Sequence, residues 1–344
     1  MTPGVARGGS FLYIRRDISI AGESIIRPAL AALALALFSA QVFAQGYPNR
    51  PIRLVVGFPP GGVSDVLSRA VSARISQNTG HQVVVDNRPG AGTTIASEFI
   101  AKSAPDGYTL YFCDATSHAI NASLYQKLPY DSLKDFTYIS LLASTPLLLV
   151  VNAALPAKSV PELIALAKAR AGQLNYASSG NGTIVHLAGE TFKSMAGVDL
   201  LHVPYKGSAP ATVAVIAGDV AFIFSTMPAA LPHVKSGKLR ALAVTTPARV
   251  AAVQDIPTLA EAALPGFDLV LYSGVIGPAG IPKEIVERIN AEFAKAVNSS
   301  EIGDFFATQG ATPITSTPEQ FAAHMRSDIE KLGKMVKASG AKAD

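Results

Sequence analysis

The stretch from Ile52 to Arg69, IRLVVGFPPGGVSDVLSR, admits few folds. Ile52, Leu54, Val55, Val56 and Phe58 follow one another with only Arg53 as a charged interruption, the pattern of a strand buried on both faces of a parallel sheet. Pro59, Pro60, Gly61 and Gly62 end it, because prolines cannot continue a central strand while glycines permit positive φ and a close backbone approach. A helix is expected next, capped by Ser64 or Asp65, with Val66, Leu67, Ala70, Val71 and Ile75 facing inward. Such a turn leaves backbone N–H groups directed outward at a helix start, where an anion can be held. The same residues also fit an ordinary βα turn with no ligand. The GxxxxGK[ST] of a P-loop and the GxGxxG of a dinucleotide fold are both absent here.

Residues 1–44 have the pattern of an export leader. Arg7, Arg15, Arg16 and Arg27 precede the apolar run Ala29 to Phe38, and Val42, Phe43, Ala44 fits a signal-peptidase site before Gln45. The apolar run falls short of the roughly 20 residues of a membrane span, so a cleaved signal peptide is expected and a permanent anchor is not. The remaining 300 residues carry 25 Lys and Arg against 23 Asp and Glu with no basic run, which points away from nucleic acid. At about 100 to 200 residues per domain this length predicts two domains. Export with the single cysteine Cys113 excludes an intramolecular disulfide and a cysteine metal cage, and Cys113 is expected to be a small buried residue.

Further strand, glycine turn and helix units follow. A strand at Gln82 to Val85 leads into NRPGAGTT (87–94) and a helix through Phe99; a third strand, Tyr108 to Cys113, ends in Asp114, Thr116, Ser117 and His118. Polar residues thus gather at the carboxyl ends of the strands, where open α/β sheets bind ligands. Thr137 to Asn152, interrupted at Pro146, reads as a strand crossing to a second lobe. There SSGNGT (178–183) repeats the opening design, VPYKGSAPA (203–211) makes another turn, and strands are expected at Asp219 to Phe224 and Leu239 to Thr245. Gly266 to Gly277 should carry the chain back, and helices at Lys283 to Val297 and Pro318 to Ala338 close it. This pattern predicts a hinged α/β binding protein: lobe 1 from 45–143 and 270–344, lobe 2 from 144–269, each a mostly parallel sheet flanked by helices, joined by two crossing strands.

The motifs YPNRPIRLVVGFPPGGVSD (47–65), NRPGAG (87–92), PDGYTL (105–110), LPYDSLKDF (128–136), NYASSGNGT (175–183), HVPYKGSAPA (202–211), SGKLRALAVT (236–245) and GPAGIP (277–282) occur in one order. In them the chain resembles the periplasmic substrate-binding receptors of tripartite tricarboxylate transporters, the Bug family. The resemblance implies a type II periplasmic-binding (Venus flytrap) fold and capture of a small organic acid between the lobes for membrane permease subunits. It implies a periplasmic, monomeric protein with no cofactor, metal, nucleic acid or catalysis. Carried over by position, the ligand-binding residues are Phe58, Gly61, Gly62, Ser64, Asp65, Asp114, Thr116, Ser117, Ser179, Gly180, Gly182, Thr183, Tyr205, Ser225 and Tyr272. Three places depart from the family's habits: Cys113 and Asp114 stand where small or hydroxyl residues are frequent, Tyr272 where tryptophan is common, and Ser225 where an acid is common.

Two other readings are weaker. A hydrolase could draw on Ser64, His118 and Asp114, but Ser64 lacks a GxSxG elbow and the six histidines show no HExxH spacing. His118 is therefore expected to be a hydrogen-bonded structural histidine. A ligand-sensing receptor without a transport role needs the same cleft. The ligand's identity stays open among dicarboxylates, aromatic acids, amino acids and nicotinic-type acids.

Overall fold

The computed structural model describes residues 46–343 together with Met1, Gly4 and Gly8. The expected leader and its cleavage point after Ala44 lie outside the described residues. Pro48–Asp344 is one compact unit.

In chain order it contains β1 (Ile52–Val56), α1 (Val63–Thr79), β2 (Val83–Asn87), α2 (Thr94–Ala101), β3 (Thr109–Asp114), α3 (Ala115–Leu124) and β4 (Phe136–Asn152). Then come α4 (Val160–Ala169), β5 (Asn175–Ser178), α5 (Ile184–Ala196), β6 (Leu201–Pro204), α6 (Ser208–Ala217), β7 (Phe222–Thr226), α7 (Met227–Lys235) and β8 (Leu239–Val244). The chain ends with α8 (Leu259–Ala262), β9 (Val270–Pro278), α9 (Lys283–Val297), α10 (Ser300–Thr308), β10 (Thr312–Pro313) and α11 (Pro318–Ser339).

The strands run β2-β1-β3-β9-β4-β7-β5-β6, with β8 and β10 also paired to β4. β1 lies parallel to β2 and β3, and β5 lies parallel to β6 and β7, as βαβ units require. β4 and β9 run antiparallel to their neighbours and join the two half-sheets into the two-lobed α/β fold. Leu54, Val55 and Val56 have no solvent exposure, which explains their unbroken apolar run, and Arg53 reaches Asp86 at 3.1 Å. In the other half-sheet Phe192, Phe222, Phe224 and Phe267 make an aromatic core with successive ring centroids 5.8 to 6.3 Å apart.

The crossing strand expected over Thr137 to Asn152 is continuous through Pro146 and spans 17 residues, Phe136–Asn152. Pro146 sits where β4 changes partners: its pairing with Val270 is the last to β9, and Leu147 opposite Thr226 is the first to β7. A missing N–H is tolerated at that changeover. The predicted α1 cap also moves, because Gly62 caps the helix, ahead of Ser64 and Asp65. Only Gly61 of the two turn glycines takes positive φ (+93°), and Gly62 is extended at −85°. Helices α7 and α10 were not foreseen. α7 carries Pro228 in its first turn, where a proline lacks only an N–H that has no helical partner, and Pro232 in its interior.

Candidate binding site

A narrow cleft of about 20 Å³ lies at the carboxyl ends of the strands, and five helix starts border it. Val63 and Ser64 open α1, Asp114 caps α3, Val185 lies in the first turn of α5, Ser208 begins α6, and Thr226 caps α7. Gly62, Gly207 and Thr226 cap their helices without a side-chain hydrogen bond. The first-turn N–H groups of α1, α6 and α7 therefore have no capping acceptor and present positive dipole ends. Two hydroxyls on this wall, Ser64 Oγ and Thr226 Oγ1, are buried without a hydrogen-bond partner. Phe58, Pro59 and Leu271 supply apolar surface. No lysine or arginine among the described residues lines the cleft. Among the described residues there is also no cluster of three or more His, Cys, Asp or Glu able to hold a metal.

Among the described residues, Asp114 is the one ionisable side chain on the wall. It is 2% exposed; one carboxylate oxygen accepts the Ser117 N–H at 2.9 Å and the other accepts the Ser117 hydroxyl at 2.7 Å. Burial raises its pKa to about 6, against the lowering effect of the Ser117 and Thr116 hydrogen bonds.

A second, wider opening shares Phe58 and Ser179 with the first and leads outward past Gly180, Tyr205 and Lys206. Here the half-sheets touch. Tyr125 OH donates to Asn181 O at 3.4 Å, and a Cβ on Gly92 would stand 1.9 Å from that same oxygen. Asn121 Oδ1 leaves similarly little room at Gly182, 2.1 Å from where a Cβ would be.

Of the residues expected in the site, Phe58, Gly62, Ser64, Asp114 and Ser179 meet at the inner cleft, and Gly180 and Tyr205 face the outer opening. The others lie outside both linings and have definable positions. Asp65 accepts the Gly61 N–H at 3.1 Å, Arg69 Nε at 2.9 Å and Asn87 Nδ2 at 3.0 Å, so it braces the turn and engages the Gly61 N–H. Burial alone would raise the Asp65 pKa, but these partners outweigh it and hold the carboxyl below its ordinary value. Thr116 donates to Val270 O at 3.2 Å and accepts the Tyr272 N–H at 2.9 Å, tying α3 to β9. Thr183 caps α5, accepting the Ser179 hydroxyl at 2.9 Å and donating to Gly180 O at 2.7 Å. Gly182 donates its N–H to His186 Nδ1 at 3.4 Å. Ser117 accepts the Ile184 N–H at 3.1 Å. Ser225 pairs with Thr212 at 2.8 Å, and the Tyr272 ring stands edge-on to His324 at 4.6 Å.

Sequence reasoning missed Thr226, Leu271 and Ser208. Thr226 and Leu271 are each one residue from an expected position, Ser225 and Tyr272, and alternate strand residues face opposite sides. The start of α6 in VPYKGSAPA was visible, but nothing in it singled out Ser208.

Ser64, His118 and Asp114 do not assemble into a hydrolytic triad. His118 is unexposed, faces Ser97 Oγ at 3.3 Å and Ser132 O at 3.4 Å, and stacks on Tyr130 at 5.5 Å. Burial pushes its pKa down to about 4, so it is the structural histidine expected from sequence.

A family model described as the tripartite tricarboxylate transporter family receptor matches residues 67–341. Protein BugT of Bordetella pertussis is 38% identical over 311 residues, covering 90% of this chain and 95% of that one. Among solved structures, Rpa4515 of R. palustris with adipate is 37% identical at a TM-score of 0.84, covering 86% of this chain and 99% of that one. MatC of Rhodopseudomonas palustris with bound malate is 30% identical at 0.81, covering 84% and 100%. The periplasmic binding protein BugD is 29% identical at 0.83, covering 86% and 99%.

Proposed function

The chain belongs to the tripartite tricarboxylate transporter receptor family, and from that premise we propose that it captures a small dicarboxylate between its lobes and delivers it to the membrane permease of such a transporter. In this reading it is exported, works in the periplasm as a monomer, and does no chemistry on its ligand. The lobes are 45–143 with 270–344, and 144–269. The inner cleft is the ligand site, and Phe58, Gly62, Ser64, Asp114, Ser179, Ser208 and Thr226 touch the ligand. The relatives with adipate and with malate support the ligand class.

The observation that carries this reading is the convergence of helix starts and partnerless hydroxyls on a cleft without cations. Each charge-assisted hydrogen bond contributes about 1.5 to 3 kcal/mol and each helix start about 0.3 to 1. A micromolar complex needs only about 8 kcal/mol net. Four to six such donors therefore suffice after ordering costs, and no arginine is required.

The test is a thermal-shift and calorimetric titration of the purified protein with succinate, malate and adipate. A ligand at a hundred times its dissociation constant adds about 2.7 kcal/mol of stability, a shift of a few degrees. Binding by one of these acids, reduced by a Ser64→Ala, Thr226→Ala double variant, is the expected result. Absence of binding by all of them, with no acid released on denaturation, would reject the dicarboxylate assignment.

A further inference from the structure

The cleft that gathers anion donors also contains an acid with no cation to neutralise it. Asp114 accepts the Ser117 N–H and hydroxyl, with the Thr116 N–H also favouring its charge, and the roughly four lone-pair sites of a carboxylate leave capacity for a ligand. The neighbouring ionisable groups can be named element by element. Tyr111 and Cys113 share β3, and burial pushes both well above their ordinary values, so both stay neutral. His118, one turn along α3, is neutral above about pH 4. β9 brings Ser273 into register with Asp114, and beyond it Tyr272, which rests on the His324 and Asp328 pair of α11. α1 offers Asp65, already paired with Arg69 at 2.8 Å. α5 presents the Ile184 N–H, while α6 and α7 meet the cleft through Ser208 and Thr226. Asp114 is thus the cleft group whose charge changes between pH 5 and 8, with a carboxyl raised to about 6.

We propose that Asp114 and one carboxyl group of the bound ligand share a single proton, so that capture of a dianion near neutral pH takes up a proton from solvent. This rests on the inner cleft being the carboxylate site. Two ionised carboxylates enclosed together repel strongly, and one of them is driven to hold a proton that then bridges the pair. No other bond changes: the free receptor, the dianion and one proton give the complex. Asp114 then acts as a specificity residue, since a ligand gains its hydrogen bond only if it presents an acceptor oxygen at that point.

The experiment is isothermal titration of malate, adipate and succinate between pH 6.5 and 8.5 at constant ionic strength, in phosphate and in Tris, whose ionisation enthalpies differ. Wild type is expected to weaken by close to tenfold per pH unit and to take up close to one proton per ligand. Asp114→Asn is expected to bind with a flat pH profile and without uptake. Wild-type binding with a flat profile and no buffer dependence would overturn the shared proton while leaving the carboxylate site intact. The same holds if Asp114→Asn keeps the wild-type slope. Failure of malate, adipate and succinate alike to bind across the whole range, with no acid released on denaturation, would reject the dicarboxylate assignment, and the shared proton with it.

Discussion

The Ser117 hydroxyl accepts the Ile184 N–H at 3.1 Å, joining the first turn of α3 in one half-sheet to the start of α5 in the other. The same hydroxyl donates its proton to Asp114 at 2.7 Å, so the cleft carboxyl and the seam share one side chain. Both bonds are fully buried, where a lost partner costs about 1 to 3 kcal/mol. Ser117→Ala should therefore weaken ligand binding five- to a hundredfold while the unfolding temperature of the free protein falls by only a few degrees. Calorimetry beside thermal melts separates the two. A large stability loss with unchanged affinity would show that this contact serves the fold and not the closed seam.

Gly92 marks the closest approach across the outer opening. Its φ of +57° is open to alanine at a cost of about 1 to 2 kcal/mol, but a methyl group would lie 1.9 Å from Asn181 O. Gly92→Ala should hold the seam apart and reduce affinity at least tenfold. Gly197→Ala provides the comparison, because it has similar φ (+60°) and nothing within 4 Å of the added carbon. It should lose stability alone. Small-angle scattering should show ligand-induced contraction in wild type and Gly197→Ala, and not in Gly92→Ala.

Much of the architecture was readable because buried strands and glycine turns leave strong local marks. Leu54 to Val56 have the unbroken apolar run of a doubly buried strand, and the helix expected at Lys283 to Val297 occupies those residues. The site was less readable because its selection depends on strand phase. Ser225 and Thr226 are chemically alike and adjacent, and only the pairing of β7 with β4 decides which one meets the cleft. Thr183 and Asp65 carried the chemistry of anion turns, but their hydrogen-bond capacity is engaged in bracing the turns, which no spacing rule reveals.

Acid stability should reflect buried groups of opposite sign. The Asp114 pKa rises on folding, so its contribution is fully present below its unfolded value near 4 and is lost as pH climbs through about 6. Burial lowers His118 to about 4, and it lowers His202 to about 3 with His186 and Lys193 adding to it; their contribution is present above about pH 6.5 and is lost on acidification. Urea unfolding should show wild type weakening from pH 6.5 to 4.5, with the histidines outweighing the one acid. Asp114→Asn should be the more stable protein at pH 7, by up to about 3 kcal/mol, and lose that lead towards pH 4.

Cys113 is 1% exposed, and burial with the neighbouring Asp114 charge raises its pKa well above the ordinary thiol value. The thiolate is the reactive form. Labelling of the native protein at pH 8 should be slow and should become fast in denaturant. Rapid native labelling would place the thiol within reach of the cleft.

Ser64 separates a structural role from a binding role most cleanly. Ser64 is 2% exposed, in the first turn of α1, and its buried hydroxyl has no hydrogen-bond partner. A buried unsatisfied hydroxyl costs roughly 1 to 3 kcal/mol in protein contexts, and removing it leaves no partner stranded. Ser64→Ala should therefore leave the free protein as stable as wild type or raise its melting temperature by a few degrees. If the hydroxyl is there to donate to a carboxylate, the same change removes a charge-assisted bond of about 1.5 to 3 kcal/mol, weakening binding ten- to a hundredfold. Stability and affinity then move in opposite directions, which no packing defect produces. A variant that loses stability and keeps its affinity would place the Ser64 hydroxyl in the fold, and the donor set of α1 would reduce to its backbone N–H groups.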